Sequence, residues 1–352
     1  MMLSAGNGFI MQSEKYSRDN AGQSLKKYIL LKQGELAYNH GASKAKQFGC
    51  CYELTEPEAR IPYVYHCFKI NDHEYTPFIA MALNNAKMDK QLKRLVSSSV
   101  RMDGLLNISF EDYMSVTLHL PSSTEQKLIA DFLKKIDERI AAQEKLLASL
   151  KKYKRGLLMH YFSDDKTQLW TQCSVSQIGK VITGSTPPTN DRSNYDGDLL
   201  FCAPGDVGEQ KYISSTEKRV SPKGFALGRP LPPNSVIVTC IGLIGKLGIA
   251  KTSMITNQQI NALVVSEGFD HEFIYYAFEN FFPEYRSKVS MQTLPILSKS
   301  EFEKLMIKVP DLDVQHKISS HLAAMDRRIE HTQQELNALI EHRRGIMQQL
   351  FI

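Results

Sequence analysis

Residues Pro121–Phe162 read PSSTEQKLIADFLKKIDERIAAQEKLLASLKKYKRGLLMHYF, and residues Pro310–Phe351 read PDLDVQHKISSHLAAMDRRIEHTQQELNALIEHRRGIMQQLF. The second segment follows the first by 189 residues, and the two are identical at 12 of 42 positions without a gap. An internal repeat of this kind defines the organisation of a chain. We therefore expect the 352 residues to form a globular half, a long helix, a second globular half and a second long helix.

Each copy of the repeat carries apolar residues at alternating spacings of three and four, the pattern of a coiled-coil seam. Eight of ten seam positions are apolar in each copy, and the polar exceptions align: Gln143 with Thr332, and Lys154 with Arg343. We assign the seam to Ile129, Leu133, Ile136, Ile140, Leu147, Leu150 and Leu157 in the first copy, and to Ile318, Leu322, Met325, Ile329, Leu336, Leu339 and Ile346 in the second.

The pattern predicts two helices of about 40 residues, each roughly 60 Å long. Their equal length and matching polar breaks predict that they pack against each other, whereas the alternative is that each packs on its own globular half. The period alone does not distinguish a parallel from an antiparallel pair. The charged outer faces, such as residues 151–155, are either solvated or dock another subunit.

The similarity between the halves extends upstream of the helices. Ser109 and Ser298 each open an S-x-x-[DE] capping box, and strand-like stretches follow at residues 116–120 and 306–309. The first half has only 33 residues before the turn at Gly34 and lacks a counterpart of residues 170–187, so roughly 30 residues of it are missing or restructured. We predict domain boundaries at residues 1–115, 116–162, 163–306 and 307–352.

The composition limits the function classes. Hydrophobic residues make up 42% and charged residues 23% of the chain, which is the balance of a globular protein and excludes wholesale disorder. No apolar run approaches the length of a membrane span, and the first residues do not resemble a signal peptide, so a cytoplasmic protein without a membrane partner is expected. The net charge of +5 permits binding to a polyanion without requiring it.

Catalysis is not expected. The chain contains no H-E-x-x-H, G-x-S-x-G or [DN]-P-P-[YF] pattern, and its six cysteines have no zinc-ligand spacing. We therefore predict no catalytic residues, no metal and no cofactor. An enzyme with a site in the second half is the least favoured hypothesis.

Polar loops carry the candidate nucleic-acid contacts. Side-chain amides can read adenine N6 and N7, and lysines and arginines bind phosphates. Any one of these residues fits an ordinary surface, but their grouping on loops of two related halves favours DNA binding. The candidates are Asn39, Lys44, Lys46, Arg94 and Arg101 in the first half, and Ser185, Thr186, Lys246, Asn257, Gln258, Gln259, Arg286, Lys288 and Gln292 in the second.

The helical repeats resemble the specificity subunit of type I restriction-modification systems. The residues that carry the resemblance are 120–133, 136–140 and 154–158 in the first copy, and 309–310, 315–318 and 343–351 in the second. The second half is also similar to a target-recognition domain of that family at Trp170 and at residues 178–179, 184–187 and 241–246.

The resemblance implies an α+β fold with two α/β target-recognition domains, each followed by a long helix, and an antiparallel coiled coil of the two helices. It implies a non-catalytic subunit that reads a bipartite target in double-stranded DNA and docks two methyltransferase subunits and restriction subunits. The shortened first half departs from the family pattern. The alternatives are therefore a specificity subunit that reads one half-site only, or a coiled-coil scaffold that reads no DNA.

Overall fold

The computed structural model describes residues 1–4, 8–11, 13, 28–43, 46–96, 106–208, 210–288 and 295–351. The fold is mixed helix and strand. It comprises two compact units: unit 1 contains Met1–Lys145 with Gln334–Ile352, and unit 2 contains Leu146–Gln333. Each unit thus combines one globular half with part of both long helices. The domain boundaries predicted from the sequence stay a prediction.

The described part of the first globular half contains short strands and short helices. The strands are β1 (Met2–Ser4), β2 (Gly8–Ile10), β3 (Ile29–Lys32), β4 (Leu36–Asn39), β5 (Cys50–Glu53), β6 (Glu58–Ile61) and β7 (His66–Phe68), and the helices are α1 (Thr76–Ala82), α2 (Ala86–Leu95) and α3 (Phe110–Met114). Strands β5, β4 and β7 form an antiparallel sheet. Its core contains Leu36 and the stacked rings of Tyr38 and Tyr113, all of which are buried.

The central long helix, α4 (Ser123–Tyr161), has 39 residues. It begins two residues after Pro121, where Ser122 and Glu125 cap it reciprocally: the backbone N–H of Ser122 donates to Glu125 Oε2, and that of Glu125 donates to Ser122 Oγ.

The second globular half is larger. Its strands are β8 (Thr171–Ser174), β9 (Gly179–Thr183), β10 (Tyr195–Cys202), β11 (Tyr212–Ile213), β12 (Lys218–Val220), β13 (Val236–Thr239), β14 (Leu247–Ala250), β15 (Met254–Thr256), β16 (Ile260–Val265) and β17 (Met306–Val309). Its helices are α5 (Asp164–Thr167), α6 (Val175–Ile178), α7 (Pro222–Leu227), α8 (His271–Lys288) and α9 (Lys299–Lys304), and α10 (Leu312–Leu350) is the C-terminal long helix. The sheets have the strand orders β11-β14-β13-β16-β9, β12-β10-β15 and β17-β8.

The two halves share one core arrangement. Strand β4 lies between β5 and β7 as β13 lies between β14 and β16, and all of these pairs are antiparallel. Each central strand follows a turn residue with positive φ, Gly34 at 83° and Asn234 at 68°. Glycine and asparagine tolerate this left-handed conformation better than other residues. The structure also confirms the two predicted capping boxes, at Ser109 and Ser298.

The halves differ at the margins of this core. In the second half β9 flanks β16 and β11 flanks β14, whereas no strand of the described first half flanks β5 or β7 in the same sheet. The predicted strand at residues 306–309 is confirmed as β17, which pairs with β8. The predicted strand at residues 116–120 is wrong. Residues 116–120 have no partner strand in the described part of the first half, and an unpaired extended segment does not become a strand.

The two long helices contact each other within each unit. In unit 1, Arg343 donates two hydrogen bonds to Asp137, and Gln143 Nε2 lies 2.7 Å from Glu335 Oε2. Because residue numbers rise along α4 as they fall along α10, the helix segments in unit 1 are antiparallel.

Unit 2 has the same direction of pairing. Lys154 Nζ lies 2.7 Å from Asp326 Oδ1, and the Tyr161 hydroxyl lies 2.6 Å from His321 Nδ1. All 14 residues assigned to the seam are buried or half-buried. Supercoiled packing as a coiled coil stays a prediction.

Candidate nucleic-acid interface

Polar loops lie close together at one end of the strands of the five-stranded sheet in unit 2. Strand β16 is antiparallel to both β9 and β13, and β14 is antiparallel to β13. The ends of β9 and β13 therefore lie beside the beginnings of β14 and β16. We call this surface the loop edge and define it by residues 184–186, 240–246, 257–259 and 295–297.

Backbone hydrogen bonds fix the loops to one another. Ser185 N donates to Thr256 O at 2.8 Å, and Cys240 N donates to Gln259 O at 2.8 Å. Gly184 is packed so closely that an added Cβ would lie 2.1 Å from the carbonyl oxygen of Asn257. Only glycine fits this position, so the loop edge is a built surface on a rigid sheet.

Thr186 and Gln258 form an exposed polar pair on this edge. Thr186 Oγ1 donates to Gln258 Oε1 at 2.7 Å, which orients the amide. The neighbouring amides turn inward on each other: Asn257 Nδ2 donates to Gln259 Oε1, and Gln259 N donates to Asn257 Oδ1. Of the three predicted amides, Gln258 is thus the exposed one, and the other two shape the turn that presents it.

The loop between β13 and β14 is held from behind. Arg286 Nη1 donates to the carbonyl oxygens of Ile244 and Gly245, each at 3.1 Å. Gly245 has φ of 78°, and an added Cβ would meet the Phe282 ring at 2.5 Å. Arg286 is exposed and also braces this loop, and its expected contact with DNA stays a prediction.

The remaining candidates of the second half are spread more widely. Ser185 and Lys246 are half-buried within the loop edge. Lys288 pairs with Glu284 one turn earlier in α8, with 2.6 Å between Nζ and Oε1. Gln292 lies outside the described residues.

The first half brings together few of its candidates. The Asn39 amide donates to Leu3 O and accepts from Gly41 N, so it braces its own loop. Lys46 Nζ donates to Asn84 O at 2.8 Å, and Arg94 is exposed in the last turn of α2. Lys44 and Arg101 lie outside the described residues.

A family model described as the type I restriction modification DNA specificity domain matches residues 26–152 and 168–342. These two matches cover most of the chain, one in each half. The chain belongs to the type I restriction-modification specificity family. Both matches extend from a globular half into the long helix that follows it.

Two curated relatives of this family align with part of the chain. The specificity subunit of the type I restriction enzyme MjaIX from Methanocaldococcus jannaschii is 30% identical over 178 residues, which is 49% of this chain and 41% of that subunit. The HindI specificity subunit from Haemophilus influenzae is 29% identical over 108 residues, 30% of this chain and 24% of that subunit. The aligned part therefore spans less than half of either relative.

Solved structures of the family have a similar fold. The S subunit of a type I restriction-modification system from M. genitalium has a TM-score of 0.60 at 15% identity, covering 91% of this chain and 83% of that one. A chain from a structure on complex assembly and conformational transition of the type I R-M system has a TM-score of 0.58 at 15% identity, covering 92% and 82%. At this identity the likeness supports the fold alone.

Several exposed residues of this specificity-family chain were not among the sequence candidates. Arg229 Nη1 donates to Thr183 O at 2.8 Å, which places an exposed guanidinium where β9 enters the loop edge. Leu243 and Ile296 are both 59% exposed on the loop edge. No sequence motif marks these residues. A single leucine or arginine carries no functional signal in a sequence, and only the fold shows which residues lie beside it.

Tyr63 is the first-half counterpart of Gln258. Tyr38 on β4 pairs with His66 as Val238 on β13 pairs with Asn261, so the residue three positions earlier is Tyr63 in one half and Gln258 in the other. Tyr63 is 61% exposed. This equivalence is read from the register of the paired strands, which the sequence pattern does not give.

Reactive chemistry is not evident at the loop edge. Burial raises the pKa of Cys240 on the loop edge to about 11 and that of Cys202 at the end of β10 to about 12, so both thiols stay protonated at neutral pH. Within the described ranges, no three His, Cys, Asp or Glu side chains are grouped to hold a metal ion. No helix in the described part of the chain has the length and apolar character needed to cross a bilayer.

Proposed function

We propose that this chain is the DNA-recognition subunit of a type I restriction-modification complex and reads a bipartite target. The observation that carries the proposal is the loop edge, where an exposed, oriented amide stands on a rigid sheet in a chain of the specificity family. The shared core of the first half supports a second reading surface. The subunit acts in the cytoplasm, where its DNA is found.

The side chains of the loop edge suit a double helix. Gln258 can donate and accept hydrogen bonds on the major-groove edge of adenine, which distinguishes bases. Arg229 and Lys246 supply positive charge for phosphate oxygens, which fixes position on the duplex without reading sequence. Binding should therefore weaken as salt concentration rises.

The helices serve assembly. We propose that the antiparallel pair holds the two reading surfaces at a set spacing as a coiled coil and docks two methyltransferase subunits, which the restriction subunits join. Methyl transfer and cleavage belong to those subunits, and this chain supplies no catalytic residue, metal or cofactor. Two linked surfaces bind more tightly than either alone because the second contact is intramolecular.

Purification of the chain with its methyltransferase partner, followed by mapping of adenine methylation, tests the proposal. A discrete two-part sequence is expected, together with salt-dependent binding of duplexes that contain it. Methylation without a sequence preference, or binding that ignores sequence, would contradict a reading role and favour a coiled-coil scaffold.

A half-site reader is the second candidate. The observation that favours it is the smaller sheet of the first half, which in its described part lacks strands equivalent to β9 and β11. Such a subunit would direct methylation to a single short sequence, because only the second half would select bases.

A further inference from the structure

Two aliphatic side chains stand exposed on adjacent segments of the loop edge. Ile296 forms an isolated antiparallel bridge with Ile241, and Gly242 N donates to Pro295 O at 3.0 Å. Leu243 follows directly, and both Leu243 and Ile296 are 59% exposed. Single exposed aliphatic residues are common, but neighbouring ones on a built surface indicate a binding contact.

The loop that carries Leu243 is held in one conformation. Its carbonyl oxygens accept hydrogen bonds from Arg286 and from the Thr239 hydroxyl. The Lys246 N–H in turn donates to Thr239 Oγ1 at 3.0 Å. Because the loop is anchored by its backbone and by Arg286, the exposed Leu243 side chain is not needed to hold it. The Leu243 side chain is therefore available for contact with a partner outside the chain.

The apolar pair is continuous with the Gln258 turn. Cys240 N donates to Gln259 O, and Leu297 N donates to Cys240 O, both at 2.8 Å. The segments of Leu243, Ile296 and Gln258 are thus tied together through one residue. Gln258 and the aliphatic pair therefore lie on connected segments of one surface, and the cations Lys246 on the loop edge and Arg229 beside it favour a polyanion.

We propose that Leu243 and Ile296 contact the 5-methyl group of a thymine in the major groove and so determine specificity at that base pair. Among the four unmodified bases, thymine alone presents a methyl group there, and aliphatic side chains recognise it. This assignment rests on the proposed function and names the base class that one part of the loop edge reads.

Replacement of single thymines by uracil in the mapped second half-site tests the assignment, because it removes only the methyl group. The wild-type complex with its methyltransferase partner should lose about fourfold in affinity at one thymine, the value of one buried methyl group. Leu243→Ala and Ile296→Ala should each bind the thymine duplex more weakly and distinguish thymine from uracil less well at that position. Leu169→Ala, which changes a leucine that is 99% exposed before β8, is the control and should keep the full distinction.

Three results would overturn the assignment while leaving the proposed function intact. One is equal wild-type affinity for thymine and uracil at every position of a specifically methylated site. Another is an undiminished thymine preference in both Leu243→Ala and Ile296→Ala. The third is an increase in the fluorescence of 2-aminopurine next to the contact that Leu243→Ala abolishes, which indicates that Leu243 unstacks bases as a wedge. Loss of all sequence preference in the wild-type complex would instead refute the proposed function.

Discussion

Under the proposed function, base recognition in the second half depends most on the side chain of Gln258. Its Oε1 accepts from Thr186, and the residue is exposed. Gln258→Ala should relax the methylated sequence at one base pair, at a cost of about 1–3 kcal/mol in discrimination, while leaving folding unchanged. Methylation mapping and half-site binding measure the effect.

Gln172→Ala is the matched control, because Gln172 is exposed on β8 and has no place on the loop edge. It should leave the methylated sequence as it is. An unchanged sequence in Gln258→Ala as well would dismiss Gln258 as a reader.

Arg286 illustrates what a sequence leaves undetermined at this scale. A cation near polar loops fits a phosphate contact, and only the fold reveals that its guanidinium reaches two loop carbonyl oxygens. The same holds for Asn257 and Gln259, which bond to each other. The sequence pattern grouped these residues on polar loops, but which of their side chains face outward depends on backbone geometry.

A recurring glutamine couples each long helix to a helix of the globular half in its unit. Gln126 Oε1 accepts from Tyr75 N at 3.0 Å before α1, and Gln315 Oε1 accepts from Asp270 N at 2.9 Å before α8. Each side chain also donates to the proline that precedes its own helix, Pro121 or Pro310. The repeat shows that these two glutamines occupy identical positions. They are not seam residues, so the heptad period does not predict their contacts.

Loss of this coupling should destabilise unit 2. Gln315 is 2% exposed, and Gln315→Leu leaves the N–H of Asp270 without its acceptor, so we expect the free energy of unfolding to fall by about 1–3 kcal/mol. Denaturant unfolding of the purified chain measures it. Gln334→Leu on the exposed face of α10 is the control, and equal midpoints for the two variants would contradict the coupling.

One of the two aligned polar breaks of the seam, Lys154 with Arg343, has the same explanation in both repeats. Lys154 meets Asp326, and Arg343 meets Asp137, so the cation of each repeat pairs with the same aspartate of the other. Burial by itself lowers the pKa of Lys154, but Glu279 and Asp326 outweigh it and hold that pKa above its ordinary value. The sequence predicted where this break falls. Its pairing partners could be identified only from the antiparallel direction of the helices, which the period leaves open.

Apolar packing between the long helices should be needed for assembly. Leu147 and Leu336 are 7% and 6% exposed, and a carboxylate at either place would lose its solvation in an apolar contact. Leu147→Asp and Leu336→Asp should each loosen the helix pair and reduce co-elution with the methyltransferase subunit in size-exclusion chromatography. Leu146→Asp, at a neighbouring leucine that is 41% exposed, should co-elute normally. Normal assembly of both seam variants would refute the paired-helix explanation.

The organisation of the whole chain could be read from its repeat, and the family match in both halves agrees with that reading. The sequence also indicated a shortened first half. The missing counterpart of residues 170–187 includes β9, which the described first half lacks. The sequence did not indicate that residues 116–120 would lack a partner, because they carry a strand pattern that the described fold does not use. A strand depends on a partner elsewhere in the chain, and local pattern carries no information about that partner.

Whether the first half reads DNA is a question about the whole molecule. Two linked readers should bind the complete target about 10²–10⁴-fold more tightly than the second half-site alone, because the second contact is intramolecular. Tyr63 stands at the position of Gln258 and is the exposed side chain to change. Tyr63→Ala should reduce the gain from the complete target and leave binding to the second half-site unchanged, as measured by competition with duplexes that carry one or both half-sites. Equal affinity of the wild-type complex for the complete target and for the second half-site would instead identify a half-site reader. A first half that contacts no bases gains no affinity when the duplex also carries the first half-site.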